Sequence, residues 1–225
     1  MINNTRAIFI IFMGMLCVSC SSGPQEFDSV SYQTPSGEVV GRAIGNVEIF
    51  RGIPYAEKPL AELRFAPAKL LSQWHGTLEA FEQGGVGPQG ATVSLISADA
   101  ELSEDCLYLD IYKPAGEHKN LPVLFWIHGG GFTQGSGVDY DGSVLANQGQ
   151  VIVVSINYRL GLLGFADASS WGGDFVGSHN NGITDQIVAL QWVQRNIASF
   201  GGDSERVTIF GESAGGSSVL ALLSS

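Results

Sequence analysis

The sequence predicts an α/β fold, with a mostly parallel central sheet flanked by helices. Residues 122–127 and 151–156 are short apolar runs rich in β-branched side chains, which are typical of strands covered on both faces. Across residues 183–200, apolar side chains instead recur every three or four positions, which indicates an amphipathic helix. Alternation of strands and helices along one chain is the pattern of α/β proteins.

The segments before these runs predict simpler elements. Residues 38–41 and 46–50 carry strand signals around a turn and predict a hairpin at the edge of the sheet. Residues 51–100 are rich in Pro and Gly and predict loop with short helices. The alternation across residues 106–112 predicts a half-buried strand. Its inner face would be Leu107, Leu109 and Ile111, and its outer face Tyr108, Asp110 and Tyr112.

The last segments repeat the strand and helix pattern. Gly201 and Gly202 supply the left-handed stop that ends the amphipathic helix. Residues 207–210 are another apolar run, which predicts a buried strand, and a further helix begins at Ala214.

The first 20 residues predict an export signal. Arg6 precedes an apolar run at residues 7–16, which is too short to span a bilayer as a stable helix. The run leads to Cys20, which follows a small residue and resembles the lipidated cysteine of bacterial lipoproteins, although Cys17 stands where Leu is usual. A plain signal peptide is the alternative.

These features predict an exported protein with a short spacer. Residues 21–33 are polar and predict a tether between the lipid and a domain at residues 34–225. Ser21 and Ser22 lack the Asp that would suggest inner-membrane retention, so the expected location is the bacterial outer membrane through a lipid anchor. A periplasmic or secreted protein is the alternative.

Composition excludes several functional classes. The 225 residues carry 22 acidic and 11 basic side chains, a net charge of −11, with no basic cluster that would suit a nucleic acid. Beyond the signal, Cys106 is the only cysteine in the sequence, so neither a disulfide framework nor a zinc site can be built on cysteines. The sequence indicates no metal or organic cofactor.

One candidate nucleophile follows the last predicted strand. Gly211, Ser213 and Gly215 form a G-x-S-x-G motif between the strand at 207–210 and the helix that begins at Ala214. A sharp strand-to-helix turn requires glycines on either side of the serine, because side chains would collide there. The turn also presents the hydroxyl at a helix N-terminus, where negative charge is favoured.

A glycine-rich loop follows the strand at residues 122–127. His128 is followed by Gly129, Gly130 and Gly131, whose bare N–H groups can point at a developing oxyanion. A strand with this loop, followed by a strand, elbow and helix, predicts acyl transfer by a serine hydrolase.

The ordered motifs resemble the type-B carboxylesterase/cholinesterase family over nearly all of residues 34–225. The matching stretches are residues 50–56, Arg64 and Phe65 with Pro67 and Trp74, and residues 104–109, 128–132, 157–161, 185–190, 200–203 and 210–216. The resemblance implies the α/β-hydrolase fold and hydrolysis of a small-molecule ester.

The same resemblance implies roles for individual residues. Ser213 would be the nucleophile, and the N–H groups of Gly130, Gly131 and Ala214 would form the oxyanion hole. Glu212 would tune the electrostatics of the site. Two structural ion pairs are implied: Arg64 with Glu104, and Arg159 with Asp185.

The chain departs from the family pattern in three places. No His, Asp or Glu follows Ser213, whereas in this fold the triad acid and histidine come after the serine. We therefore expect an N-terminal part of the catalytic domain, truncated after the nucleophile elbow. Gly87 stands where relatives often carry a cysteine partner for Cys106, so Cys106 is expected to be an unpaired buried thiol. Asp110 stands where the family has Asn.

There are two alternatives to a working esterase. The first is a non-catalytic binding or adhesion protein on the same fold. The second is an inactive fragment, because the 225 residues alone lack a triad acid and base.

Overall fold

The computed structural model describes residues 28–90 and 100–224, in which one mixed sheet is flanked by helices. The strands are β1 (Asp28–Thr34), β2 (Gly37–Ile44), β3 (Val47–Pro54), β4 (Thr77–Glu79), β5 (Tyr108–Pro114), β6 (Leu121–Ile127), β7 (Ile152–Ile156) and β8 (Gly202–Gly211). The α-helices are α1 (Ser143–Gly149), α2 (Gly161–Phe165), α3 (Asn181–Asn196) and α4 (Ala214–Leu222). Short 3-10 helices lie at Ala61–Leu63, Ser169–Trp171, Gly173–Phe175, Ser178–Asn180 and Ile197–Phe200.

The strands are ordered β1-β2-β3-β5-β7-β6-β8, and β4 pairs with β2. Neighbours are antiparallel from β1 to β7, and the predicted hairpin is the β2–β3 pair. Parallel pairing joins β6 to β7 and to β8, with Ile127 opposite Gly211 in the β6–β8 ladder. The predicted α/β class is confirmed. The parallel pairs of β6 lie where α-helices connect the strands, because parallel pairing requires long crossovers. The short β4 also pairs in parallel, with β2.

The amphipathic helix predicted at residues 183–200 is confirmed as α3 with its 3-10 extension. The buried apolar face includes Trp192, Val193 and Phe200, which belong to the main core beneath the sheet. Gly201 ends the helix with φ +85°, the left-handed conformation that glycine adopts most readily.

The predicted tether is too long. Residues 28–33 belong to β1, where Val30 and Tyr32 pack against the core and alternate with serines and Gln33. Because every second residue of this strand is polar, the segment has the composition of a polar linker, and the strand was not predicted. The predicted signal at residues 1–20, with Cys20, and residues 21–27 lie outside the described residues.

The strand predicted as half-buried at residues 106–112 is covered on both faces. Asp110 is 3% exposed and Tyr112 is 1% exposed, although both were expected on the solvent face. Tyr112 packs with Ala146 of α1 and Val153 of β7 in a second small core. The alternation of side chains is correct, but α1 covers the polar face.

The run at residues 207–210 was expected to be buried, and it is not. Thr208 is exposed, while Val207, Ile209 and Phe210 are half-buried. Within the described residues β8 pairs with β6 alone, so its other edge is uncovered.

Candidate active site

Ser213 lies in the sharp turn that the sequence predicts between β8 and α4. Its φ is +53° and its ψ is −117°. This backbone conformation is energetically unfavourable for any residue that carries a side chain. The Ser213 side chain is exposed and precedes the first residue of α4. The strand, turn and helix therefore present the hydroxyl at the carboxyl edge of the sheet.

The glycines on both sides of the serine are required by close packing, as expected. A Cβ on Gly211 would lie 2.6 Å from the carbonyl carbon of Gly215 and 2.7 Å from the carbonyl oxygen of Ile127. A Cβ on Gly215 would overlap the same Ile127 oxygen. The elbow is therefore packed directly on the end of β6.

The glycine-rich loop after β6 passes beside the nucleophile. A Cβ on Gly129 would lie 3.1 Å from Cβ of Ser213 and 2.6 Å from the carbonyl oxygen of Glu212. Sequence reasoning did not assign Gly129 a role of its own. The loop and the elbow approach so closely that this position cannot carry a side chain without displacing one of them.

The loop has an unusual backbone conformation. Gly130, Gly131 and Phe132 have consecutive positive φ values of +102°, +64° and +61°. The N–H groups of Thr133 and Gln134 both donate to the carbonyl of Gly130, at 3.2 Å each. This turn closes the loop on itself.

Among the described residues, the predicted oxyanion donors have no competing acceptor. In the part of the chain that the structure describes, the N–H groups of Gly130, Gly131 and Ala214 donate to no other residue. Backbone N–H groups in this state are available to an oxyanion.

His128 is part of the scaffold and is not a general base. Its Nδ1 donates to the carbonyl of Gly129 at 2.8 Å, and its ring stacks on Tyr158 with 4.4 Å between centroids. The Tyr158 hydroxyl donates to the His128 carbonyl at 2.9 Å. Burial lowers the pKa of His128 to about 4, so the ring is neutral at physiological pH.

None of the other three histidines forms a hydrogen bond with Ser213. His118 lies against Gly201, which directly precedes β8, and the ten residues of that strand separate it from the elbow. That length is about 30 Å at 3.3 Å per residue. His75 and His179 are exposed. Among the described residues, no side chain forms a hydrogen bond with the Ser213 hydroxyl.

Both implied ion pairs are present. Arg159 contacts Asp185 through its guanidinium at 2.7 Å, and both side chains are buried. The pair of Arg64 and Glu104 also forms, with both side chains partly exposed. Cys106 is unpaired and buried, and burial raises the pKa of its thiol. These three expectations are confirmed.

Residues 28–90 and 100–224 contain no group of His, Cys, Asp and Glu side chains that could hold a metal ion. No helix in the same ranges is long and apolar enough to cross a membrane.

Comparison with known sequences identifies relatives that are esterases. The model of the Carboxylesterase family matches residues 28–225. The para-nitrobenzyl esterase of Bacillus subtilis is 47% identical over 195 residues, which are 84% of this chain and 39% of that protein. The pyrethroid hydrolase Ces2e of Rattus norvegicus is 42% identical, covering 93% of this chain and 39% of the relative. Cholinesterase of Mus musculus is 40% identical, covering 96% and 37%.

Solved structures lead to the same group. A PNB esterase superposes with a TM-score of 0.81 and 46% identity, over 86% of this chain and 40% of that chain. A carboxylesterase of Geobacillus stearothermophilus gives a TM-score of 0.79 and 46% identity over the same shares. The α/β-hydrolase fold is thereby confirmed. The chain spans about two fifths of the length of these relatives. Since the family model covers all but the first 27 residues and the relatives are 40–47% identical over most of the chain, this protein is a member of the type-B carboxylesterase/cholinesterase family.

Proposed function

We propose that the protein is a carboxylic ester hydrolase in which Ser213 is the nucleophile. The observation that carries the proposal is the contact between two loops. Gly129 of the glycine-rich loop lies against Ser213 of a strained elbow, and the nearby N–H groups of Gly130, Gly131 and Ala214 have no described protein acceptor.

The reaction follows from acyl-transfer chemistry. The Ser213 oxygen attacks the carbonyl carbon of a small-molecule ester, and a histidine base takes the hydroxyl proton. The N–H groups of Gly130, Gly131 and Ala214 stabilise the tetrahedral oxyanion. The same histidine returns the proton to the alcohol as it leaves, and water then hydrolyses the acyl-enzyme. No step requires a metal or an organic cofactor.

We propose that the triad acid and histidine lie beyond residue 225. His128 bonds to the carbonyl of Gly129, and its lowered pKa makes it a poor proton acceptor. The other described histidines form no hydrogen bond with Ser213. The chain matches only about two fifths of each relative's length, which is consistent with a further region of the intact gene product that carries the acid and the histidine. The 225 residues alone are then expected to be inactive.

Covalent labelling of the intact gene product tests the assignment of Ser213. A fluorophosphonate probe should form one adduct at Ser213, and p-nitrophenyl acetate hydrolysis should be lost in Ser213→Ala. Ser217→Ala is a matched control on the exposed side of α4 and should label as the wild type does. Folded protein that neither labels nor hydrolyses esters would favour the non-catalytic binding protein.

We also propose that the protein is exported and anchored through a lipid on Cys20. Support comes from the apolar run and the small residue before Cys20. Metabolic labelling with palmitate should mark the wild type and leave Cys20→Ala unmarked. Labelling that persists in the variant would exclude this anchor.

A further inference from the structure

We infer that Gln89 is a positioning residue that fixes the oxyanion loop; the inference rests on the proposed function. The Gln89 carboxamide forms a matched pair of hydrogen bonds with one residue of the loop. Its Oε1 accepts from the N–H of Gly135 at 2.7 Å, and its Nε2 donates to the carbonyl of Gly135 at 3.0 Å. The carboxamide thereby bonds to Gly135 as a peptide group of an adjacent strand would.

Gly135 transmits this restraint to the start of the loop. It is buried and has φ +101°, and its Cα faces the part of the loop nearest Ser213. A Cβ there would lie 2.6 Å from the carbonyl oxygen of Gly129 and 2.8 Å from Nδ1 of His128. These are the two groups that bond to each other and orient the chain entering Gly130. A displacement of Gly135 therefore displaces the oxyanion donors.

The turn between these residues couples the two ends of the loop. Thr133 and Gln134 donate to the carbonyl of Gly130, and a Cβ on Gly130 would overlap the carbonyl of Gln134. The loop from Gly129 to Gly135 is thus one compact unit. Gln89 bonds to its far end at Gly135, and Asn157 accepts from the N–H of Gly137 just beyond it, at 2.7 Å.

The segment that carries Gln89 is itself anchored. Nε2 of Gln89 also donates to the carbonyl of Gly87 at 3.1 Å, and Val86 exchanges two backbone hydrogen bonds with the chain at Glu101 and Ser103, at 2.8 Å each. Asn157, buried at the end of β7, donates to the carbonyl of Gly85 at 3.0 Å. Gln89 therefore connects the loop to a fixed support.

Only a carboxamide of this length satisfies both backbone groups of Gly135. A carboxylate would accept from the N–H but repel the carbonyl, and Asn would be one methylene short. Met has a similar volume and offers no comparable donor or acceptor, so Gln89→Met removes the bonds while keeping the packing.

Steady-state kinetics on the intact gene product test the inference. Gln89→Met should lower kcat about tenfold, since small misplacements of catalytic groups reduce rates by up to about a hundredfold. KM should stay within about twofold, because the donors act mainly on the oxyanion. A trifluoromethyl ketone, which forms a tetrahedral adduct with the serine, should bind about tenfold more weakly. Gln194→Met is the control, because Gln194 also donates one carboxamide bond to a backbone carbonyl, at Ser204, far from the loop; it should leave kcat unchanged.

Amide hydrogen exchange separates this inference from the proposed function. In Gln89→Met, the amide of Gly135, which loses its acceptor, and the amides of Thr133 and Gln134 should exchange at least about fivefold faster, with amides outside the loop unchanged. Unchanged kcat or unchanged local exchange would overturn the inference. Faster exchange throughout the protein, with kcat falling only in proportion to the folded fraction, would also overturn it. If the wild type shows no Ser213-dependent turnover, the proposed function fails while exchange still decides whether Gln89 fixes the loop.

Discussion

Two buried carboxylates, Asp185 and Asp110, differ in how completely the protein satisfies their oxygens. Asp185 is 0% exposed and Asp110 is 3% exposed. Asp185 accepts hydrogen bonds from the backbone N–H of Arg159 at 3.0 Å, from its Nε at 2.9 Å and from its Nη2 at 2.7 Å. Asp110 accepts from the N–H of Gly52 at 2.8 Å, while its Oδ2 is buried without a partner among the described residues.

Similar burial therefore affects the charged forms of the two carboxylates differently. The Arg159 guanidinium matches the Asp185 carboxylate and also donates to the carbonyl of Ala66, so both charges are compensated. Burial raises the pKa of Asp110 to about 6, although the Gly52 hydrogen bond and the charge of Arg51 act in the opposite direction. The first carboxylate joins distant segments. The second carries a cost whenever it is ionised.

The largest expected effect breaks the compensated pair. Asp185→Ala leaves the Arg159 charge buried and unpaired, and the free energy of unfolding should fall by about 3–5 kcal/mol. Urea unfolding of the intact gene product measures the loss. The double variant Arg159→Met with Asp185→Leu should recover much of it. A loss below about 1 kcal/mol in the single variant would contradict a buried, matched pair.

A smaller effect concerns Asp110 and depends on pH. A folded-state pKa of about 6, against an ordinary 3.8, means that the folded protein binds the proton more tightly. Stability therefore falls as pH rises from about 4 to about 6 and stays lower above that range. A shift of about two pKa units corresponds to about 3 kcal/mol.

Asp110→Asn removes this titration and keeps an acceptor for the Gly52 N–H. The free energy of unfolding of the variant minus that of the wild type should therefore rise by up to about 3 kcal/mol between pH 4 and pH 8. Urea unfolding at five or six pH values measures the difference. A flat difference across this range would mean that Asp110 is not the titrating group.

The smallest effect concerns the exposed pair. Arg64 is 48% exposed and Glu104 is 29% exposed, so Glu104→Gln should cost no more than about 1 kcal/mol. The cost should shrink further in 1 M NaCl, because salt screens exposed charges. An effect as large as that of Asp185→Ala would mean that exposure does not separate these two ion pairs.

Sequence reasoning predicted the elbow and the loop because short motifs mark both of them. Gly211 and Gly215 flank the serine within five residues, between an apolar strand and a helix, although the contacts that require these glycines include Ile127 of β6. The implied pair of Arg159 and Asp185 came from the family resemblance and not from spacing.

Features that depend on distant neighbours were missed. Nothing in the alternation of residues 106–112 reveals that α1 packs against Tyr112, and Gln89 stands 46 positions from Gly135 in the sequence. The partial exposure of residues 207–210 reflects how many strands adjoin β8, which the apolar run itself does not encode.

The ladder between β6 and β8 makes the site tolerant of insertions between these strands and intolerant of deletions within them. Ile127 stands opposite Gly211, so the glycine-rich loop and the elbow leave the sheet at the same level. Insertions in the surface segments between these strands can lengthen the chain without altering that level. A single-residue deletion inside either strand would shift one loop by about 3.3 Å and reverse which face its side chains occupy. Among related genes, we expect insertions and deletions to be common in the segments between β6 and β8 and rare within the two strands.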